Sequence, residues 1–511
     1  MQRKIGPSFG SRRALKVLAI SLVCSITFAG CGAIHSTSSP VDKTPTQWQA
    51  IARTDLDAVY AAIVAAHPGY IDAANPHPRA WAEQGYREAK ALIPRVINYD
   101  TMMSAVRYYV TGFKDGHLIY SDNIRSAGLH EMVNGWRVDE QAGAAVVTAV
   151  MPEWNGPLPP LGATLLDCDG RTPSAIVTDD EAPYFDRRNL PSVRKSLFPE
   201  ISSLRLTGLE LKRCTFIQLD GTKVAFDVKY RNIPTMDVWS GLRSVRLHSP
   251  DHRNYYDFRD KVLWIRAANF TLSPGEVKNL EKMLKELTAL PDVRSVVFDT
   301  RGNTGGDSKV GQQILNAATG GLEFDTSGLE RLDRVYAQWR VSDISISGVE
   351  HYVDTMSKRY GSNDPRTQEI KDLLARLRNA KRAGMPWVDD GGSPRLTRAE
   401  IVSRQGRLRR FNGSVAVITD GNCASACLDF VDQVRLIPGS VQLGQTTASD
   451  TAYLERARVQ LPSGNLLSMP MKVWRNRVRG DGEVLVPDIL LNSDLHDDKS
   501  VRAAALDALR N

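Results

Sequence analysis

The spacing of apolar residues divides this chain into three kinds of sequence. Over 47–112 they recur every three to four positions, as in WQAIARTDLDAVYAAIVAAH, where Trp48, Ile51, Leu56, Val59 and Ile63 share a helical face. This predicts a small helical N-terminal region, 47–125. From about 126 to 245 the pattern changes to short alternating runs such as GAAVVTAV, GATLLDCDGRTP and CTFIQLDGTKVAFDVKY. Asp-Gly turns at Asp169 and Asp220 between strand-like segments predict a mostly β module.

Beyond 255 the order becomes strand, helix, strand. VLWIRAANF is a buried strand, and SPGE at 273–276 opens a helix with Ser273 as cap, Pro274 in the first turn and Glu276 closing the capping box. Val277, Leu280, Leu284 and Leu287 stripe that helix before Pro291. SVVFD and SVAVITD follow as further strands, and this βαβ order predicts an α/β core with a parallel sheet over 255–505. A polar, charge-rich excursion at 320–410 interrupts it, as a lid or as a surface subdomain.

At 511 residues, two or three domains are expected. The net charge of +7 is concentrated at the start: Arg3, Lys4, Arg12, Arg13 and Lys16 stand in a stretch without an acid. Without them 60 bases face 58 acids, which leaves no electrostatic footprint for nucleic acid. This basic stretch precedes the apolar run VLAISLVCSITFAG and Cys31, the order of an export signal too short for a stop-transfer helix. FAGC resembles the bacterial lipobox. The resemblance implies a signal peptide over 1–31, a lipid on Cys31, a polar tether over 32–46, and a protein held at the membrane facing the periplasm, on the outer membrane; an uncleaved N-terminal anchor is the alternative. Of the other cysteines, Cys24 goes with the signal, and Cys168, Cys214, Cys423 and Cys427 are either two disulfides or buried thiols.

The chemistry centres on DGNCASACLDF, 420–430. A strand ends, the chain turns, and Ala426, Phe430, Val431 and Val434 mark a helix, so Ser425 sits near the positive end of a helix dipole. A serine there is either a nucleophile, with the following amide stabilising an oxyanion, or a plain N-cap. A second stretch, VVFDTRGNTGGDS, sets Gly302, Gly305 and Gly306 directly after a strand, where bare amides can approach a ligand closely. It lacks the Gly-Lys-Ser/Thr ending of a nucleotide loop.

Together these stretches resemble the C-terminal processing and tricorn-like serine peptidases. VVFDTRGNTGG is similar to the family's Asp-x-Arg-x-Asn-x-Gly-Gly loop, CASAC to its nucleophile turn, and LGQTT at 443–447 and VPDIL at 486–490 to its later signatures, all in order over 255–495. FKDGHLIY at 113–120 is similar to its Asp-Gly-His motif. The resemblance implies a ClpP/crotonase-like α/β protease core and a PDZ-like module at 126–245, whose tail-binding loop is not identifiable. It further implies Ser425 as nucleophile, His117 as base, Glu483 as orienting acid with Asp481 as understudy, and the amides of Gly305, Gly306 and Ala426 as oxyanion donors. The family's other activating group, a lysine, would fall at Asp450, and no lysine lies between Ser425 and Lys472.

The function expected is therefore a serine endopeptidase acting on proteins or peptides in the cell envelope, needing no cofactor or metal. A thiol nucleophile at Cys423 or Cys427 is disfavoured by the family register. An inactive peptide-binding relative and a lipid-anchored scaffold are the alternatives from other classes.

Overall fold

The computed structural model describes residues 43–510 apart from 124–129, 142, 152, 203–209, 235–251, 321–334, 391–410, 478, 492–494 and 496. The export signal, Cys31 and most of the tether lie outside the described residues. The first helix, Pro45–Ala66, starts on a Thr44–Gln47 capping box and buries Trp48, Leu56, Val59 and Ile63. It packs with His77–Leu92 and Tyr99–Thr111, and the three share one core with Leu461, Leu467 and Met469 from much later in the chain.

The central sheet has six strands in the order 489–490, 441–444, 414–419, 295–299, 262–266, 255–259. Its first five strands run parallel, and Tyr255–Arg259 closes the edge antiparallel. Continuous apolar runs suit these strands because both faces are covered. Helices Pro274–Thr288, Ser308–Thr319 and Ala426–Val434 contribute to the core on one face. Asp498–Ala508 covers the other. The register pairs Asp299 with Ile418 and Thr419 with Gly444, so the loops that follow all three strands leave the sheet at one edge. In α/β sheets that edge is where sites are built.

A second, antiparallel sheet is centred on Leu466–Arg475, paired with Tyr453–Gln460 along its length. Ile119–Ser121, two residues after His117, pairs with one end of the same strand, and Tyr336–Arg340 pairs with the other. The 320–410 excursion is thus woven into this sheet over its described part rather than laid on the surface: Trp339, Val349, Leu373 and Leu377 pack with Met471. Residues 321–334 and 391–410 lie outside the described residues.

Residues 136–227 carry a five-stranded antiparallel sheet in sequence order. Asp220-Gly221 is the hairpin turn expected, and Cys168–Cys214 bridges paired neighbours in adjacent strands as a disulfide. The expectation of a mostly β stretch needs one correction, because 173–202 is largely helical. Thr172 caps Ala175 N–H with Pro173 in the first turn, and Ile176, Val177, Val193, Leu197 and Phe198 then cover the sheet's apolar face.

Candidate active site

The strand Ser414–Thr419 delivers Asp420 to the active edge, where its carboxylate accepts the amides of Gly302 and Asn422 and so ties the two motif loops together. Ser425 takes the N-cap position of Ala426–Val434, but its hydroxyl makes no capping bond. Its backbone stands at φ 53°, ψ −124°. A non-glycine residue held there costs about 1–3 kcal/mol and persists only where surroundings enforce it. Two features enforce it here. A Cys423–Cys427 disulfide spans the serine, which also leaves neither sulfur as a free thiol. Gly305, at φ 99°, lies against it so closely that a Cβ there would stand 2.8 Å from the Ser425 Cβ and 2.7 Å from the Ala424 carbonyl oxygen.

The glycine loop is shaped by its polar neighbours. Buried Asp299 accepts from Arg266 at 2.9 Å and from Arg301, whose guanidinium also reaches Leu495 O and Asp498. Buried Asn303 donates to Ala267 O at 2.7 Å and accepts the Gly305 amide at 2.8 Å. That last bond corrects one expectation, since the Gly305 N–H is spent inside the loop. The amides of Gly306 and Ala426 remain as candidate oxyanion donors. Ala426 is the first residue of its helix and so has no intrahelical acceptor for its N–H.

His117 follows a buried aspartate. One oxygen of Asp115 accepts the His117 amide at 2.9 Å and the Thr451 hydroxyl at 2.9 Å, and its other oxygen lies 3.3 Å from His67 Nε2. Burial pushes this carboxyl up, but the hydrogen bond from His67, the proximity of both imidazoles and the His117 amide outweigh it and hold it below the usual carboxylate value. The His117 Nδ1 lies 3.3 Å from Asp450 Oδ1, at ion-pair range without an aligned hydrogen bond. Catalytic contacts are often this loose before substrate binds. Burial pushes Asp450 up, opposed by the charges of His117 and Arg477.

Arg477 carries this arrangement to the serine helix. Its guanidinium stands 3.2 Å from Asp450 and 3.6 Å from Asp429, one turn beyond Ser425, and Arg479 reaches Asp429 at 3.0 Å and pairs with Asp432. Ser308, which follows the glycine loop, donates to Asp429 at 2.9 Å. The network therefore links the histidine loop, the helix that starts at Ser425 and the glycine loop.

The acids favoured as orienters are engaged in other contacts. Glu483 is exposed and accepts the Gly480 amide at 2.5 Å, closing its own turn. Asp481 accepts the Ala452 amide at 2.7 Å. Of the two carboxylates facing His117 Nδ1, Asp450 is nearer at 3.3 Å than Asp115 at 3.8 Å; it stands at the position where a lysine-dependent relative would carry its base, and the signal that could have found it was an acid at that counted position. His67 carried no motif and gave no signal.

Residues 261–491 match the family model described as Peptidase family S41. No curated protein matches the chain. Among solved structures, mature CPAF complexed with lactacystin is similar at 12% identity and TM-score 0.56, covering 91% of this chain and 100% of that one. A CPAF point mutant gives 12% identity and TM-score 0.58, covering 91% and 98%. At that identity the likeness speaks to the fold alone. Residues 261–491 are thus similar to the S41 peptidases, and the class that this match defines is a serine-type peptidase.

Proposed function

We propose that the chain is an endopeptidase that hydrolyses peptide bonds of proteins or peptides in the cell envelope, with Ser425, His117 and Asp450 as its catalytic set. Ser425 Oγ attacks the scissile carbonyl carbon while His117 Nε2 takes the hydroxyl proton, and the carbonyl oxygen becomes an oxyanion between the amides of Gly306 and Ala426. Collapse of the tetrahedral species breaks the C–N bond, with His117 returning the proton to the leaving amine. Water, deprotonated by the same imidazole, then cleaves the acyl-enzyme. Asp450 orients the ring through Nδ1 and stabilises the imidazolium. Each oxyanion donor contributes about 3 kcal/mol to transition-state binding.

The observation that carries this reading is Ser425 itself: a serine in a strained conformation, at a helix start, whose hydroxyl does no capping. A merely structural N-cap would have the opposite geometry. Placement outside the cytoplasm is supported by the two disulfides, which persist in oxidising compartments; the lipid on Cys31 belongs to the same proposal and rests on the lipobox-like FAGC. The sheet at 136–227 serves, in this reading, as a PDZ-like module presenting substrate.

Protein lacking residues 1–31 tests the reading with a fluorophosphonate probe, lactacystin and casein. Wild type is expected to label and to cut, and Ser425→Ala and His117→Ala to do neither. Labelling that survives Ser425→Ala would sink it.

A further inference from the structure

We propose that His67, outside every motif and one carboxylate removed from His117, is a positioning residue for the base: its imidazole donates through Nε2 to Asp115, which in turn fixes the backbone of His117. The inference rests on His117 being the base. His67 is fully buried where the first helix ends. Its Nδ1 accepts the Gly69 amide at 3.0 Å, so the ring's proton is on Nε2. That nitrogen points at Asp115 Oδ2, 3.3 Å away. The other oxygen of the same carboxylate receives the His117 amide and the Thr451 hydroxyl. Thr451 directly follows Asp450, so one buried carboxylate sets the main chain of the base and anchors the residue beside its partner. The rings of Phe113 and Tyr453, with centroids 5.9 Å and 5.3 Å from the imidazole, flank this contact.

The competing role is local. His67 also caps the short helical turn Pro68–Tyr70 through Nδ1. The two roles use different nitrogens, which makes them separable. An asparagine amide reaches the place of Nδ1 and can replace the cap; a glutamine amide reaches the place of Nε2 and can replace the donor to Asp115.

The test compares His67→Ala, His67→Asn and His67→Gln in the otherwise intact protein, reading kcat and KM on a peptide substrate together with the rate of fluorophosphonate labelling of Ser425. Misplacement of a reacting group by about 1 Å costs on the order of a hundredfold in rate. A tenfold or greater fall in kcat is expected in His67→Ala and His67→Asn with KM unchanged, and His67→Gln is expected to recover most of it. Recovery by asparagine but not glutamine, or full kcat in all three, overturns the proposal. If the variants do not fold, ¹⁵N-histidine NMR of the wild type decides: a neutral ring protonated on Nε2 supports the assignment, and the Nδ1–H tautomer overturns it. Wild-type protein that neither labels nor cuts would instead defeat the reading of His117 as base, a result distinguishable from either of these.

Discussion

Asp450 and Glu483 are both acids near the end of the catalytic core, and the difference between them is one of surroundings. Asp450 is buried, paired to Arg477 and 3.3 Å from the imidazole, whereas Glu483 is exposed and closes its own turn. Asp450→Asn is expected to lower kcat by about 10²–10⁴-fold, as loss of an orienting carboxylate does in serine hydrolases. Glu483→Gln is expected to stay within about threefold of wild type, the size of effect left when only an exposed turn contact is changed. Steady-state kinetics on one peptide substrate separates them, and the reverse order would return the role to Glu483. Asp115 makes a prediction about pH. Its folded value lies below the unfolded one of 3.8, so its contribution to stability is present above that value and lost as pH falls through the folded one. Urea midpoints measured while acidifying below 3.8 should therefore fall less steeply in Asp115→Asn than in wild type.

At the scale of elements, the turn at Ser425 is held by two constraints that can be removed separately. Gly305→Ala places a methyl against the Ala424 carbonyl and the Ser425 Cβ at a φ of 99°. Strain of about 1–3 kcal/mol falls on the loop, and labelling of Ser425 should drop sharply while the circular dichroism spectrum is retained. The disulfides should differ in kind. Closing loops of 46 and 4 residues restricts the unfolded chain by about 4 and about 2 kcal/mol respectively. Replacing Cys168 and Cys214 by alanine should therefore cost more stability than replacing Cys423 and Cys427, yet only the second pair should slow labelling. Equal labelling by both variants would remove the disulfide from the account of Ser425's conformation.

Across the whole molecule, the second sheet joins the helical region that bears His117 to the core that bears Ser425. Asp55, buried in the first helix, accepts the Tyr120 hydroxyl at 2.8 Å and the Ser463 amide at 3.0 Å, and Arg475 holds Asp72 through two contacts of 2.8 Å. Asp55→Ala should cost about 1–3 kcal/mol by leaving these donors unpaired. If the two regions are one cooperative unit, loss of activity and loss of secondary structure will coincide in denaturant; an earlier loss of activity would show the helical region detaching alone.

Much of the local fold around the candidate site was legible along the chain because its parts are local. An apolar run ending in Asp-Gly-Asn sets a strand and a turn, Ser273 and Glu276 cap a helix without outside help, and the glycines mark where the backbone turns or approaches closely. Residues 113–120 announced the histidine in the same way. Tertiary structure alone decided which carboxylate meets that histidine, because the choice between Asp450 and Glu483 depends on where Arg477 and Arg479 are drawn by Asp429 and Asp432 on another helix. It also decided that the Gly305 amide is consumed by Asn303, that 173–202 folds as helices against a sheet, and that His67 stands behind Asp115. Local pattern fixes backbone conformation through sterics and capping, whereas the partner of a buried charge is chosen by burial and electrostatics between segments far apart in sequence.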